Sequence, residues 1–151
     1  MPLLAGCAAL VVVADQVTKQ LALDGLSDGP VEVVPGAVTL RLTFNSGGAF
    51  GIGGDFPAFF LVATVAIVVT IVFWARRVED PRLMIPLGLI VGGGLGNLFD
   101  RIVRDYGGRV VDFVDFHVWP VFNLADASIV AGVGLILLLN LRSRRPSADG
   151  R

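Results

Sequence analysis

Two aspartates stand where an apolar chain has little room for charge. They are Asp112 and Asp126, in the segment VVDFVDFHVWPVFNLADASI. Asp126 opens a run that is otherwise apolar enough for a bilayer, ASIVAGVGLILLL. An ionisable group at the centre of a membrane helix costs roughly 2.5–3.5 kcal/mol on insertion scales, and such groups mark functional sites. Two carboxylates held close together cannot both ionise cheaply, so they share a proton. One can then take a proton from water as general base while the other donates to a substrate carbonyl. That is aspartyl-protease chemistry, and it needs no cofactor. His117 is the only histidine and no serine is paired with it, while Cys7 lies at no polar site. Spacing alone does not establish that Asp112 and Asp126 meet. Asp115 stands close by as a second choice of acid.

The elements that must position these groups are membrane helices. The 151 residues are 54% hydrophobic with a mean hydropathy of +0.77, above the roughly 45–50% apolar share of a soluble domain. The surplus falls in four segments, at about 3–23, 56–74, 83–101 and 121–141. The second is uncharged throughout and would span roughly 28 Å as a helix. A net charge of −1 gives no general case for nucleic acid. A single cysteine excludes an internal disulfide and a thiolate metal site. Residues 1–141 read as a single four-helix domain, and the polar tail 142–151 as disordered.

Arginine placement orients the chain. Arg76, Arg77 and Arg82 lie between the second and third segments, and Arg142, Arg144, Arg145 and Arg151 lie in the tail. Four spans put that link and both termini on one side, which the positive-inside rule makes the cytoplasm. The opposite side holds residues 31–55 and 104–120. There Val31–Val34 and Val38–Phe44 are β-branched and partly alternating. The expectation is a mainly α membrane protein, four transmembrane helices with a small extracytoplasmic β-sheet at about 31–55. Glycines 88, 92 and 96 line one face of the third segment. They either pack against another helix or leave room for a substrate chain.

The other polar residues fall near the same, outer helix ends. Asn123 shares a helix face with Asp126 if the helix has begun by then, Asn97 stands four before Arg101, and Asp15 stands four before Lys19. Together the motifs Asp15-Gln-x-x-Lys19, Asn45-x-Gly-x-Ala-Phe50, Gly-Gly-x-Leu-Gly-Asn97-x-x-Asp-Arg101, Val-Val-Asp112-Phe and Phe-Asn123-x-Ala-Asp126 resemble, in order, those of bacterial lipoprotein signal peptidase (signal peptidase II). The resemblance covers Asp15 to about Ile129. It implies an inner-membrane aspartyl peptidase without cofactor or metal, which cuts diacylglyceryl-modified prolipoproteins just before the lipidated cysteine. It puts the catalytic pair on Asp112 and Asp126, with Asn123 orienting them. It gives Asn45 and Arg101 to substrate backbone and loop architecture, Asn97 to structure and binding, and Asp15 with Lys19 to support. It makes residues 104–111 part of a mobile cover, and implies a monomer that meets membrane lipid and acts near the extracytoplasmic face.

Other readings of the same residues exist. Asp112, Asp115 and His117 would be hard ligands for Zn, Mn or Mg in a metal-dependent hydrolase, but no further His or Cys completes the set. Intramembrane acids also mark transporter pathways, yet no repeat symmetry is present. Trp74 and Trp119 read as interface anchors. Leu4-Ala5-Gly6-Cys7 looks like a lipobox but lacks a basic n-region before it, and is expected to be helix. Against the family, the N-terminus is less basic and the stretch between the two acids is short.

Overall fold

The computed structural model describes residues 1–47 and 57–143. In chain order the elements are α1 (Pro2–Gly25), β1 (Val31–Val34), β2 (Val38–Asn45), α2 (Pro57–Ala75), α3 (Met84–Val103), β3 (Val110–Asp115) and α4 (Leu124–Ser143). Among the described residues, four helices are long and apolar enough to cross a membrane. The protein is therefore mainly α, with one small sheet, as its composition and patterning predict. Residues 48–56 and the tail from 144 lie outside the described residues, and with them Ala49 and Phe50 of the second motif and the end of the expected sheet segment.

The helix α3 sits at the centre. Its most apolar stretch is 61% buried, against 28% for α1 and 11% each for α2 and α4. Its glycines explain how three helices reach it. A Cβ on Gly88 would meet Cys7 Cβ at 2.7 Å, one on Gly92 would meet Val11 Cβ at 2.7 Å, and one on Gly96 would meet Asp15 Oδ2 at 2.6 Å. The row 88/92/96 is thus filled by α1, which decides the glycine question for helix packing. Gly93 faces Ala125 and Ile129 of α4, and Gly94 faces Val68 of α2.

The matching stripe on α1 is Leu4, Ala8, Val11, Asp15, Lys19 and Ala22. These residues recur every three or four positions and so share one helix face. The stripe is apolar through Val11 and charged at Asp15 and Lys19, and that change marks where the packed bundle becomes a polar site. Cys7 also faces α3, with Sγ 3.6 Å from the Ile85 carbonyl oxygen. Outward side chains such as Phe59, Val62, Ile67, Val130 and Leu137 are exposed, as suits helices whose solvent is hydrocarbon.

The sheet is antiparallel in the order β1-β2-β3. The registers are Val31 opposite Leu40, Thr39 opposite Asp115, Thr43 opposite Asp112 and Asn45 opposite Val110. Between Leu40 and Thr43 the register shifts by a bulge. The strand β3 extends the sheet beyond the expected 31–55, and takes Val110 and Val111 from the stretch 104–111 that the sequence reading gave to a cover. Val110-Val-Asp-Phe-Val-Asp115 is β-branched and apolar enough for a strand. It pairs with β2 along the backbone, and its alternation turns Val111 and Asp112, both buried, to opposite faces.

Candidate active site

Asp126 is positioned by the start of α4. The sequence places that helix from about 121, but it begins at Leu124 because Asn123 caps it. Asn123 Oδ1 accepts from the Asp126 amide at 2.9 Å, and Asp126 Oδ2 accepts from the Asn123 amide at 3.2 Å. This is a reciprocal capping box, with Asn in the Ser/Thr place and Asp in the Glu place. It fixes the Asp126 side chain against the first turn. The other oxygen, Oδ1, accepts from Asn97 Nδ2 at 2.8 Å.

Asp112 arrives on β3, from the opposite direction. Asn123 Nδ2 donates to its Oδ1 at 2.6 Å, and Asn45 Nδ2 on β2 donates to its Oδ2 at 2.9 Å. Asn123 therefore touches both acids, one through its side-chain amide and one through its backbone. Burial above all, and then the charge of Asp126, push the Asp112 carboxyl up to about 7. The amides of Asn45 and Asn123, and then Lys19, pull the other way.

Beneath the two acids lies a buried ion cluster. Lys19 Nζ stands 2.8 Å from Asp15 Oδ2, 2.8 Å from Asp100 Oδ2 and 3.0 Å from Asn97 Oδ1, and the three charged side chains are fully buried. An ammonium only donates, so Asn97 must turn its oxygen to Lys19 and its NH2 to Asp126. Asn97 Oδ1 also accepts from Asn123 Nδ2 at 3.0 Å. The free lone pairs of the cluster hold the two segments that carry the acids. Asp15 Oδ1 accepts from the Ala125 amide at 3.0 Å and tacks down the start of α4. Asp100 Oδ2 accepts from the Val111 amide at 3.0 Å and tacks down β3. Buried charges are tolerable when every remaining polar valence is satisfied in this way.

Arg101 lies alongside. Its Nη1 donates to the Asn97 carbonyl at 3.3 Å, and its Nε is buried without a hydrogen-bond partner among the described residues. Asp126, Asp112 and Asp100 are the carboxylates that act on it electrostatically. Two clefts open on the acids. One, of about 510 Å³, is lined by Phe116, Trp119, Phe122, Ala127 and Val130 together with Asp126. The other, of about 260 Å³, is lined by Thr43, Asn45, Ser46, Pro120 and Asp112. The first is apolar and the second polar, so each acid faces a different environment.

Asp115 goes elsewhere. Three residues along a strand is an odd step, which sends a side chain to the other face. Asp115 Oδ2 pairs with Arg41 Nε at 2.6 Å and its Oδ1 accepts from the His117 amide at 2.7 Å. These bonds, the His117 amide first, hold its carboxyl below the ordinary carboxylate range. Among the described residues, Asp112, Asp115 and His117 do not form a common ligand set.

All eight residues singled out from the sequence thus converge on one network: Asp15, Lys19, Asn45, Asn97, Arg101, Asp112, Asn123 and Asp126. Three polar partners were missed as site residues. Asp100 and Gln16 lay inside quoted motifs, and Arg104 was read as loop. Gln16 Nε2 donates to Asp100 Oδ1 at 2.9 Å, and its Oε1 accepts from Arg104 Nη2 at 3.1 Å. The signal was available, since Gln16 follows Asp15 and Arg104 stands one turn after Asp100. Trp119, read as an anchor, lines the apolar cleft.

Comparison with known proteins follows the same pattern. The family model described as "Signal peptidase (SPase) II" matches residues 7–142. A lipoprotein signal peptidase of Mycolicibacterium smegmatis is 41% identical over 97% of this chain and 68% of its own length. One from Mycobacterium avium is 41% identical over 92% of this chain and 79% of its own. One from Chlorobium phaeobacteroides is 38% identical over 87% of this chain and 91% of its own. A bacterial membrane enzyme solved by the in meso method at 2.3 Å superposes with a TM-score of 0.79 and 30% identity, covering 96% of this chain and 91% of that one.

Proposed function

This chain belongs to the signal peptidase II family of membrane proteases, and we propose that Asp112 and Asp126 are the pair through which it cuts. As a member, it is a multi-pass bacterial membrane protein and an aspartic endopeptidase that removes signal peptides from prolipoproteins. The finer reading concerns the bond and the groups. The substrate is a diacylglyceryl-modified prolipoprotein, cut just before its lipidated cysteine. One observation carries the assignment of the acids: Asn123 bonds to both Asp112 and Asp126.

The two carboxyls share one proton, which Asp112 holds below about pH 7 because burial and Asp126 raise its affinity. Asp126 takes a proton from a water as the water oxygen attacks the scissile carbonyl carbon. Asp112 gives its proton to the carbonyl oxygen. As the C–N bond breaks, Asp126 returns a proton to the departing cysteine amine, and the hydroxyl proton goes back to Asp112. Asn97 and Asn123 hold the acids in register, and Lys19 polarises Asn97. No cofactor enters any step. The apolar cleft beside Asp126 suits a lipid-bearing substrate still seated in the bilayer.

The reading further places the four helices in one domain acting as a monomer. Both termini are cytoplasmic, and the site is near the extracytoplasmic face, where the arginine pattern puts the sheet. The test is to incubate purified protein in lipid vesicles with a prolipoprotein carrying or lacking the diacylglyceryl group, and to locate the cut by mass spectrometry. A single cut before the modified cysteine is expected, with the unmodified chain left intact. No cut, or a cut at another bond, would overturn it.

A further inference from the structure

We propose that the Arg41–Asp115 pair is a positioning device for substrate, holding the Phe116–Trp119 wall of the apolar cleft beside Asp126. The inference rests on the peptidase reading above and adds residues that none of the motifs assigns.

The wall is a short excursion of chain between two fixed points. Its far end is fixed by backbone, since the Phe122 amide donates to Val114 O at 3.0 Å and the Val114 amide donates to Phe122 O at 2.9 Å. Its near end is fixed by Asp115. That side chain accepts from the amide two residues on, the bond of an Asx-turn. The turn puts His117 at φ 61, a conformation that a non-glycine residue keeps only when its surroundings impose it. The His117 ring is tied to Thr39 Oγ1 at 3.0 Å. Arg41, in the stretch of β2 where the register shifts, holds the second Asp115 oxygen and so fixes the carboxylate that makes the turn. Beyond the turn, Phe116 rests on Phe122 with ring centroids 5.3 Å apart, and both line the cleft with Trp119.

The supports of this wall are separate from those of the acids. Asp112 and Asp126 hang on Asn123, Asn97, Asn45 and the Lys19 cluster, whereas Asp115 is bonded to Arg41 and His117. Loosening the wall should therefore weaken substrate binding and leave the chemical step alone. A merely structural role would lower stability and turnover together.

Steady-state cleavage of a lipidated prolipoprotein peptide by the full chain in vesicles separates these cases. Asp115→Ala is expected to raise KM roughly tenfold, equivalent to about 1.4 kcal/mol, with kcat within about twofold. Asp115→Asn keeps an oxygen for the His117 amide and should raise KM less. Arg41→Ala should do the same, and Arg41→Ala combined with Asp115→Ala should be no worse than Asp115→Ala alone, because Arg41 acts through Asp115. Unchanged KM, a kcat loss equal to the KM change, or multiplicative effects in the double variant would overturn the proposal. If Asp115→Ala fails to fold, Asp115→Asn and Arg41→Ala carry the same test. Absence of cleavage by the unsubstituted protein would instead defeat the peptidase reading.

Discussion

Replacing Lys19 with Met tests the buried cluster as the anchor of the site. The side chain is fully buried and its Nζ makes three contacts within 3.0 Å, to Asp15, Asp100 and Asn97. Met is of similar length, so little packing is lost. What remains is two carboxylates, of which only Asp100 keeps a cation, Arg104. Asp15 keeps donors from Ala125 and Gln16, and Asp100 keeps donors from Gln16, Arg104 and Val111. Removing one member of a buried ion pair costs about 3–5 kcal/mol. At about 2–4 °C per kcal/mol for a chain of this size, the melting point should fall by roughly 10 °C. Activity should fall further than the folded fraction does, because Asp15 tethers α4 and Asp100 tethers β3. The assay is a melt in detergent micelles followed by intrinsic fluorescence, beside turnover at a temperature where the variant stays folded. Adding Asp15→Asn should recover part of the stability, since the charge left without a cation is gone, but not the turnover. A Lys19→Met protein that melts within about 2 °C of the parent and turns over normally would refute the reasoning.

The remaining expectations concern pH and packing. With the Asp112 carboxyl pushed up to about 7, kcat/KM should fall about tenfold per pH unit above that value as the shared proton is lost. A profile flat from about pH 6 to 9 would contradict it. The same shift has a stability sign. A carboxyl raised from about 3.9 in the unfolded chain contributes stability that is full below that value and is lost as pH rises through about 7. Melts across this window should show the decline, and Asp112→Asn should lack that part of it. Gly96→Ala would set a Cβ 2.6 Å from Asp15 Oδ2 and should cost about 1–3 kcal/mol. Gly6→Ala, with nothing within 4 Å, should leave the melting point unchanged or slightly raised.

Much of this site could be read before any coordinates, for reasons that differ from residue to residue. The helices announce themselves because a bilayer demands long uncharged runs, and Phe56–Trp74 can be little else. Asp15 and Lys19 share a face by helical spacing alone. That Asp112 rather than Asp115 shares Asn123 with Asp126 was open from spacing, and only the family resemblance chose between them. The deciding physics is strand parity, which needs β3 to be recognised as a strand. It was missed because six residues of mixed apolar and acidic character look like a loop until β2 is there to pair with them. The start of α4 was misplaced because Val121 and Phe122 are apolar enough to continue the helix, whereas Asn123 and Asp126 cap it. Asp100 and Gln16 escaped notice because their roles are long-range: their partners lie on other elements.

The central claim is that Asp112 and Asp126 act as one unit on a shared proton and water. The most direct test is turnover of lipidated prolipoprotein by Asp112→Asn, Asp126→Asn and the double variant, each first shown by its melt to be folded. The account predicts a loss of about a thousandfold or more for each single variant, and no further loss in the double, because either acid is useless without the other. Turnover within about tenfold of the parent in either single variant, or losses that multiply in the double, would contradict it.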